Sequence, residues 1–499
     1  MAVLLACAAC TRAPEAAMPV ASAAAPAVMP AGSTEQPRVV VAVLPFQAAG
    51  EGSDAAQGFA DGVANHFTRA MATLPGVAAI SGESAFHYRN SSELNSVIGE
   101  ALGASHLLHG KLQRQGGVLQ LDVELVQAAD GSSLWSQHYQ RVDRELFALQ
   151  DEVMTALAKA VQAGPVPTQK QDDRPPSGNL EAYASVLHGD DLALRSDVFS
   201  ARQAVEAYQH AVALDPQYAY AHARLALALV RQVTRFPLDE GETATQGALA
   251  QRSAATALRL ADSLPEAQQA MAAWLADIAH DQTGAVAALQ RALQLRPNDA
   301  DLLAMLALRQ IGFGQLGQAV DSLRAALKTN PLSAPTLYSL GSVYLGQADY
   351  PQAEHALQQA LALAPGLPLA QAFLAMAVFQ QNRTDEAIAI ARQETVPLWR
   401  SYALAMAYWA KGDRVHADEQ LQQLIQQHAG DAATQIAGVY AQRDDETQMF
   451  HWLEEARRTG DPGLAEIRYM PFVSRYATDP RFIALVKGQG PPPAMAAAK

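Results

Sequence analysis

Ala292-Leu-Gln-Leu-Arg-Pro297, Ala326-Leu-Lys-Thr-Asn-Pro331 and Ala360-Leu-Ala-Leu-Ala-Pro365 repeat one phrase, and their closing prolines stand 34 residues apart (331 − 297 and 365 − 331). A fixed period of this size marks an array in which each repeat is one supersecondary unit leaning on its neighbours. The residues ahead of the third proline show what the unit is. Leu337, Leu340, Gly341 and Tyr344 fall on one face at helical spacing, and Ala353, Leu357 and Ala360 fall on the face of a second helix that Pro365 ends. Gly341 and Ala353 are small, which lets two antiparallel helices approach closely, and Leu340 and Leu357 fill the seam.

The same grammar recurs as Leu306, Ala307, Ala319, Leu323, Ala326 and as Leu404, Ala405, Tyr408, Ala417, Leu421. Weaker copies run through Ala204, Tyr208, Ala211; Leu225, Ala226, Ala254, Ala257; Ala272, Ala273, Leu289; Leu374, Ala375, Ala387; and Ile436, Ala437, Leu453. About eight repeats are expected over residues 179–460, with an inserted loop near Phe236 to Thr245. A helix pair of this period, closed by proline, resembles the tetratricopeptide (TPR) repeat. That resemblance implies an all-α TPR solenoid with a concave groove lined by the first helix of each pair.

Ahead of the repeats the period changes. Val39 to Phe46 is a β-branched run that reads as a strand buried on both faces. Phe59, Val63, Phe67 and Met71 place one face of a helix over 54–74, Val77 to Ile80 reads as a short strand, and Glu93 to Leu102 as a helix stopped at Gly103. Leu119, Leu121, Val123 and Leu125 then alternate with polar residues between Gly116-Gly117 and Asp130-Gly131, so strands near 105–113, 118–127 and 132–140 form a meander. A last helix is expected over 143–162. The order βαβαβββα implies an α/β N-terminal domain with a mixed sheet, over residues 38–163.

Val41-Ala-Val-Leu-Pro-Phe46, Gly58-Phe-Ala-Asp-Gly62, Leu134-Trp135 and Leu146-Phe-Ala-Leu-Gln-Asp-Glu152 resemble the domain of bacterial TolB-like proteins, which in that family commonly precedes TPR repeats. The resemblance implies protein or envelope association for this domain. Some relatives carry a winged helix or a cyclase domain, and neither has a counterpart in this sequence. The alternative reading is therefore a regulatory protein related to TPR-containing transcriptional regulators or cyclase-associated proteins, lacking their effector domain.

Residues 164–178 hold Pro165, Pro167, Pro175 and Pro176 and read as an extended linker. Tyr469-Met-Pro-Phe to Phe482 breaks the repeat period and reads as a C-terminal cap over 461–488, with its aromatics covering the last helix pair; 489–499 reads as a disordered tail. At the other end, Leu4-Leu5-Ala6-Cys7 resembles the lipobox of bacterial lipoproteins, with Cys10 as second candidate. Residues 1–37 are thus expected to be a signal and a disordered tether, which places the protein in the cell envelope or periplasm on a lipid anchor. A cytoplasmic protein is the alternative if that terminus is misassigned.

Composition narrows the function. Hydrophobic residues make up 49% of the 499 and charged ones 17%, so the chain can bury a core. A formal charge of -14 repels phosphate backbones, and the first domain, with 8 Lys or Arg against 13 Asp or Glu, hides no basic module. No nucleic-acid partner is expected. The two cysteines lie at the terminus, so no thiolate metal site is expected in the folded part. Phosphate-loop, dinucleotide, His-Glu-x-x-His and Gly-x-Ser-x-Gly signatures are absent, and His106 and His109 fall on opposite faces of a strand. The reading is a non-catalytic scaffold without cofactor. Projecting the helix register outward from the packed positions lines the groove with Trp274, Leu308, Ile311, Tyr338, Leu345, Met376, Phe379, Tyr402, Met406 and Trp409. Such a surface suits an apolar or amphipathic segment of a protein partner.

Overall fold

The computed structural model describes residues 39–48, 54–163, 173–195, 197–236 and 238–486. The lipid attachment expected at Cys7 or Cys10, the tether and the tail after 488 lie outside these residues. Strand β1 (Val39–Val43) runs through the sheet interior, parallel to both β3 (Val77–Ile80) and β4 (His106–Gln115). From β4 the chain turns through β5 (Val118–Gln127) to β6 (Ser133–Val142) as an antiparallel meander, giving the order β3-β1-β4-β5-β6. Gly116, Gly117 and Gly131 take positive φ at the two turns. The period-two pattern settles the register: Leu112, Leu121 and Tyr139 line up across three strands on one buried row.

Helices α1 (Asp54–Met71) and α4 (Leu146–Ala160) bury Val63, Phe67, Leu149 and Val153 on that face. The opposite face carries α2 (Gly82–Ala85) and α3 (Asn95–Leu102), packed on Ala42, Ile80, Leu107 and Val126. Two elements add to the expected order. Strand β2 (Gln47–Ala48) pairs parallel with β4 and, at two residues, is too short to show a period. Helix α2 is a single turn started by Ser81, whose hydroxyl accepts from the Glu83 N–H.

The next sixteen helices fall into pairs: α5 (Leu180–Leu194) with α6 (Val198–Leu214), α7 (Ala219–Arg235) with α8 (Glu240–Leu260), α9 (Pro265–Asp277) with α10 (Gln282–Leu295), and α11 (Ala300–Gly312) with α12 (Leu316–Thr329). The second half repeats the arrangement in α13 (Ala334–Gly346) with α14 (Tyr350–Leu363), α15 (Ala370–Phe379) with α16 (Thr384–Ala391), α17 (Pro397–Lys411) with α18 (Arg414–His428), and α19 (Ala433–Gln442) with α20 (Glu446–Thr459). A Cβ added at Gly341 would stand 2.6 Å from Leu357 Cγ and 3.2 Å from the Ala353 carbonyl, so the seam of α13 and α14 closes because position 341 has no side chain. The loop expected near 236–245 is largely helix. Asp239 and Glu242 form a capping box, each side chain accepting the other's backbone N–H, and α8 starts at Glu240.

The segment expected to be an extended linker ends in a fixed anchor. Asp173 is buried, and its Oδ2 lies 2.9 Å from His66 Nδ1 and 3.1 Å from Arg69 Nη2. Arg174 donates to His66 Nε2 at 3.3 Å, so Nδ1 carries the imidazole proton and donates to Asp173. Beside it, the Leu187 side chain of α5 fills the space over Gly62 of α1. A second junction lies four repeats on, after α12. There the Ser81 N–H donates to the Thr329 carbonyl at 2.6 Å, Ser84 Oγ donates to Asn330 Oδ1 at 2.5 Å, and Asn330 Nδ2 donates to Glu83 at 2.6 Å. The α/β domain is thus clamped to the array at two places distant in sequence.

Candidate functional site: the groove of the repeat array

The first helices α13, α15, α17 and α19 touch one another in sequence, and the wall they form is strongly apolar. Tyr338, Phe373, Trp399 and Tyr402 make a continuous aromatic run across α13, α15 and α17, with ring centroids 5.4, 5.5 and 5.7 Å apart. Edge and tilted contacts of this kind add to the stabilisation from area burial alone. Burial pushes the Tyr338 hydroxyl well above its ordinary range, with the carboxylates of Glu466 and Glu394 adding to the effect. Burial also raises the Glu466 carboxyl. Tyr338 is itself buried, whereas Glu466 is partly exposed. The Tyr402 hydroxyl is buried and finds no hydrogen-bond partner among the described residues.

Six of the ten groove positions projected from sequence, Tyr338, Leu345, Met376, Phe379, Tyr402 and Met406, are buried. They form part of one core cluster with the helix seams. Leu308, Ile311, Trp274 and Trp409 are partly exposed. Trp274 turns back into its own layer, its Nε1 donating to the Gly247 carbonyl of α8 at 3.2 Å. Trp409 is flanked by Arg414 and Arg443, whose guanidinium carbons stand 3.4 and 4.4 Å from the ring centroid. The register projection missed Phe373 and Trp399. Their sequence signal was slight, one aromatic in the first turn of each of two successive first helices.

The chain's own C-terminal segment packs against part of this wall. Leu464, Ile467 and Val473 are buried on α19 and α20, as a cap of the last pair requires. Between them, Tyr469, Met470 and Phe472 reach further. The Tyr469 hydroxyl occupies the space a Cβ at Gly314 would take, and its own Cβ lies 3.4 Å from the Cβ position of Gly346. Met470 Cε and Tyr402 Oη each stand 3.0 Å from the Cβ position of Gly438. Met470 and Phe472 pack against both the repeat core and the terminal cluster. The segment therefore spans from the end of α11 to α19. Phe472 takes a φ of +68°, a left-handed conformation that costs a bulky residue on the order of 1–3 kcal/mol. Packing on both sides holds it there.

Elsewhere, among the described residues, no three or more His, Cys, Asp or Glu side chains gather into a metal-binding group, and no helix is long and apolar enough to cross a membrane.

The family model for the tetratricopeptide repeat matches residues 344–393. The chain carries TPR repeats. Two curated relatives share part of its sequence: a putative adenylate cyclase 3 of Rhizobium meliloti (strain 1021), 26% identical over 190 residues, and the transcriptional activator CadC of Escherichia coli (strain K12), 29% identical over 133 residues. The first match covers 38% of this chain and 32% of the relative, the second 25% and 24%, so the chain spans about a third or less of either relative. Among solved structures, PilF of Pseudomonas aeruginosa aligns over 44% of this chain and 94% of its own, with 16% identity and a TM-score of 0.37.

Proposed function

We propose that this chain is a non-catalytic protein-interaction scaffold of the cell envelope, in which the groove over α13, α15 and α17 takes up a segment of a protein partner. The observation that carries the reading is the aromatic run Tyr338–Phe373–Trp399–Tyr402, in a core cluster against which Met470 and Phe472 of the C-terminal segment also pack. A wall of this kind recognises apolar side chains by shape and leaves few charges to set specificity. In the same proposal the α/β domain is TolB-like and fixes the array at two junctions, while Cys7 or Cys10 carries the lipid anchor. The net charge of -14 speaks against nucleic acid as partner.

The test is affinity capture from detergent-solubilised envelopes with the full chain, read by mass spectrometry. A variant with Ile311→Asp and Trp399→Asp places carboxylates at two partly exposed positions, one on the adjoining first helix α11 and one on the wall itself. Species captured by the native chain should be lost from this variant while its helical circular dichroism persists. Capture of the same species by both proteins, in equal amount, would remove the groove from the account.

A further inference from the structure

We infer that residues Arg468 to Phe472 are a resident ligand of the groove, and that the partner segment is of the same chemistry and displaces them. This rests on the groove reading above and specifies its partner. Three observations separate these five residues from the cap that holds them. Leu464, Ile467 and Val473 are buried on α19 and α20, whereas Tyr469, Met470 and Phe472 are only partly buried. The tongue can therefore leave while its two roots stay fixed. Phe472 holds a left-handed φ of +68°, so the bound form of the tongue is strained and a partner free of that strain competes at an advantage. The buried Tyr402 hydroxyl, unpaired among the described residues, and the Met470 methyl both stand 3.0 Å from the Cβ position of Gly438, and the tongue leaves the hydroxyl unsatisfied. A partner backbone carbonyl placed there would accept its proton.

The tongue reads Arg-Tyr-Met-Pro-Phe. Arg468 donates to the Val486 carbonyl within the cap at 2.8 Å, so its charge is not used on the groove. The recognised chemistry is therefore an aromatic, a thioether or aliphatic side chain, a proline and a second aromatic, in a stretch without charge requirement. The proline restricts the free peptide and lowers its ordering entropy on binding.

A reversible lock tests this on the full chain. The 3.4 Å between Tyr469 Cβ and the Cβ position of Gly346 is close to the roughly 3.5–4.5 Å of a disulfide. In a Cys7→Ser, Cys10→Ser background, Gly346→Cys with Tyr469→Cys should crosslink on oxidation and pin the tongue. The probe is a labelled peptide of residues 464–476, followed by fluorescence anisotropy. It should bind the reduced protein at least tenfold more tightly than the oxidised one. A scrambled peptide should bind neither. Equal affinity for the two forms, no binding to the reduced form, or failure of the crosslink to form would each overturn the inference. Captured envelope partners, run on the same two forms, separate the two claims. Partners lost on oxidation, with no such discrimination by the peptide, leave the groove reading standing and remove the tongue chemistry. Partners held equally by both forms place the partner site away from the groove.

Discussion

Gly341 and His66 show how far single residues carry the account. At Gly341 the seam is closed by absence, and Gly341→Leu puts four carbons where Leu357 already stands. Overpacking should lower the stability of the array by about 1–3 kcal/mol, read as an earlier midpoint in urea unfolding followed by circular dichroism. An unchanged midpoint would mean that the two helices are further apart. His66 sets a pH dependence. Burial is the largest influence on its imidazole and lowers the pKa below the ordinary 6.5, outweighing the attraction of Asp173, while Arg174 and Arg69 lower it further. Burial alone would raise the Asp173 carboxyl, but the His66 ring and the two arginines outweigh it, and the carboxylate stays ionised. Between the folded pKa of His66 and 6.5 the unfolded chain binds more protons than the folded one. The stability this group contributes is therefore whole above 6.5 and is lost as pH falls from there toward the folded pKa. The thermal midpoint should drop on acidification from about pH 7.5 to 5.5, and His66→Asn, neutral throughout, should flatten that drop. An identical slope in both proteins would show that the junction does not sense protons through His66.

At the scale of elements, four of the second helices start where a carboxylate meets their free N–H groups. Asp281, Asp349, Asp413 and Asp445 each accept from a backbone N–H at the start of a second helix, a periodic signal that sequence reading passed over in favour of prolines. Helix α15 is capped from a distance. Its N-cap, Leu369, has a φ of +68°, and the buried Glu394 from the turn before α17 does the capping, accepting from Leu369, Ala372 and Val396 N–H at 3.3, 3.2 and 2.9 Å. A cap supplied from 25 residues downstream has no local pattern to betray it. Glu394→Ala should cost on the order of 1–3 kcal/mol by leaving buried donors unpaired, and should speed amide exchange in the first turn of α15 before other helices. Uniform exchange rates would mean that water, not the carboxylate, satisfies those groups. The apolar periods were legible because each helix buries one face against its partner. The start of α8 was not, because a Gly and Thr-rich stretch obscures the Asp239 and Glu242 capping box.

Over the whole molecule, what sequence could not supply was long-range destination. The broken period at Tyr469 announced a cap, and Leu464, Ile467 and Val473 act as one; nothing local says that Tyr469 ends between Gly314 and Gly346. Likewise the proline-rich 164–178 looked free, whereas Asp173 is the buried centre of a charge cluster. The two junctions of the α/β domain make a further expectation. Asn330→Ala removes the hydrogen bonds to Ser84 and Glu83 and should weaken the distal junction by roughly 1–3 kcal/mol, seen as easier proteolytic cutting in the turns flanking α2. Unaltered cutting would show that the first junction alone fixes the domain.

The central claim is that the groove over α13, α15 and α17 is where a partner is held. Hydrogen–deuterium exchange of the full chain, with and without a partner isolated by capture, measures this on the intact complex. Added protection is expected in α13, α15 and α17 together with loss of protection across residues 468–472. Protection confined to the second helices of the pairs or to the α/β domain, with 468–472 unchanged, would contradict it.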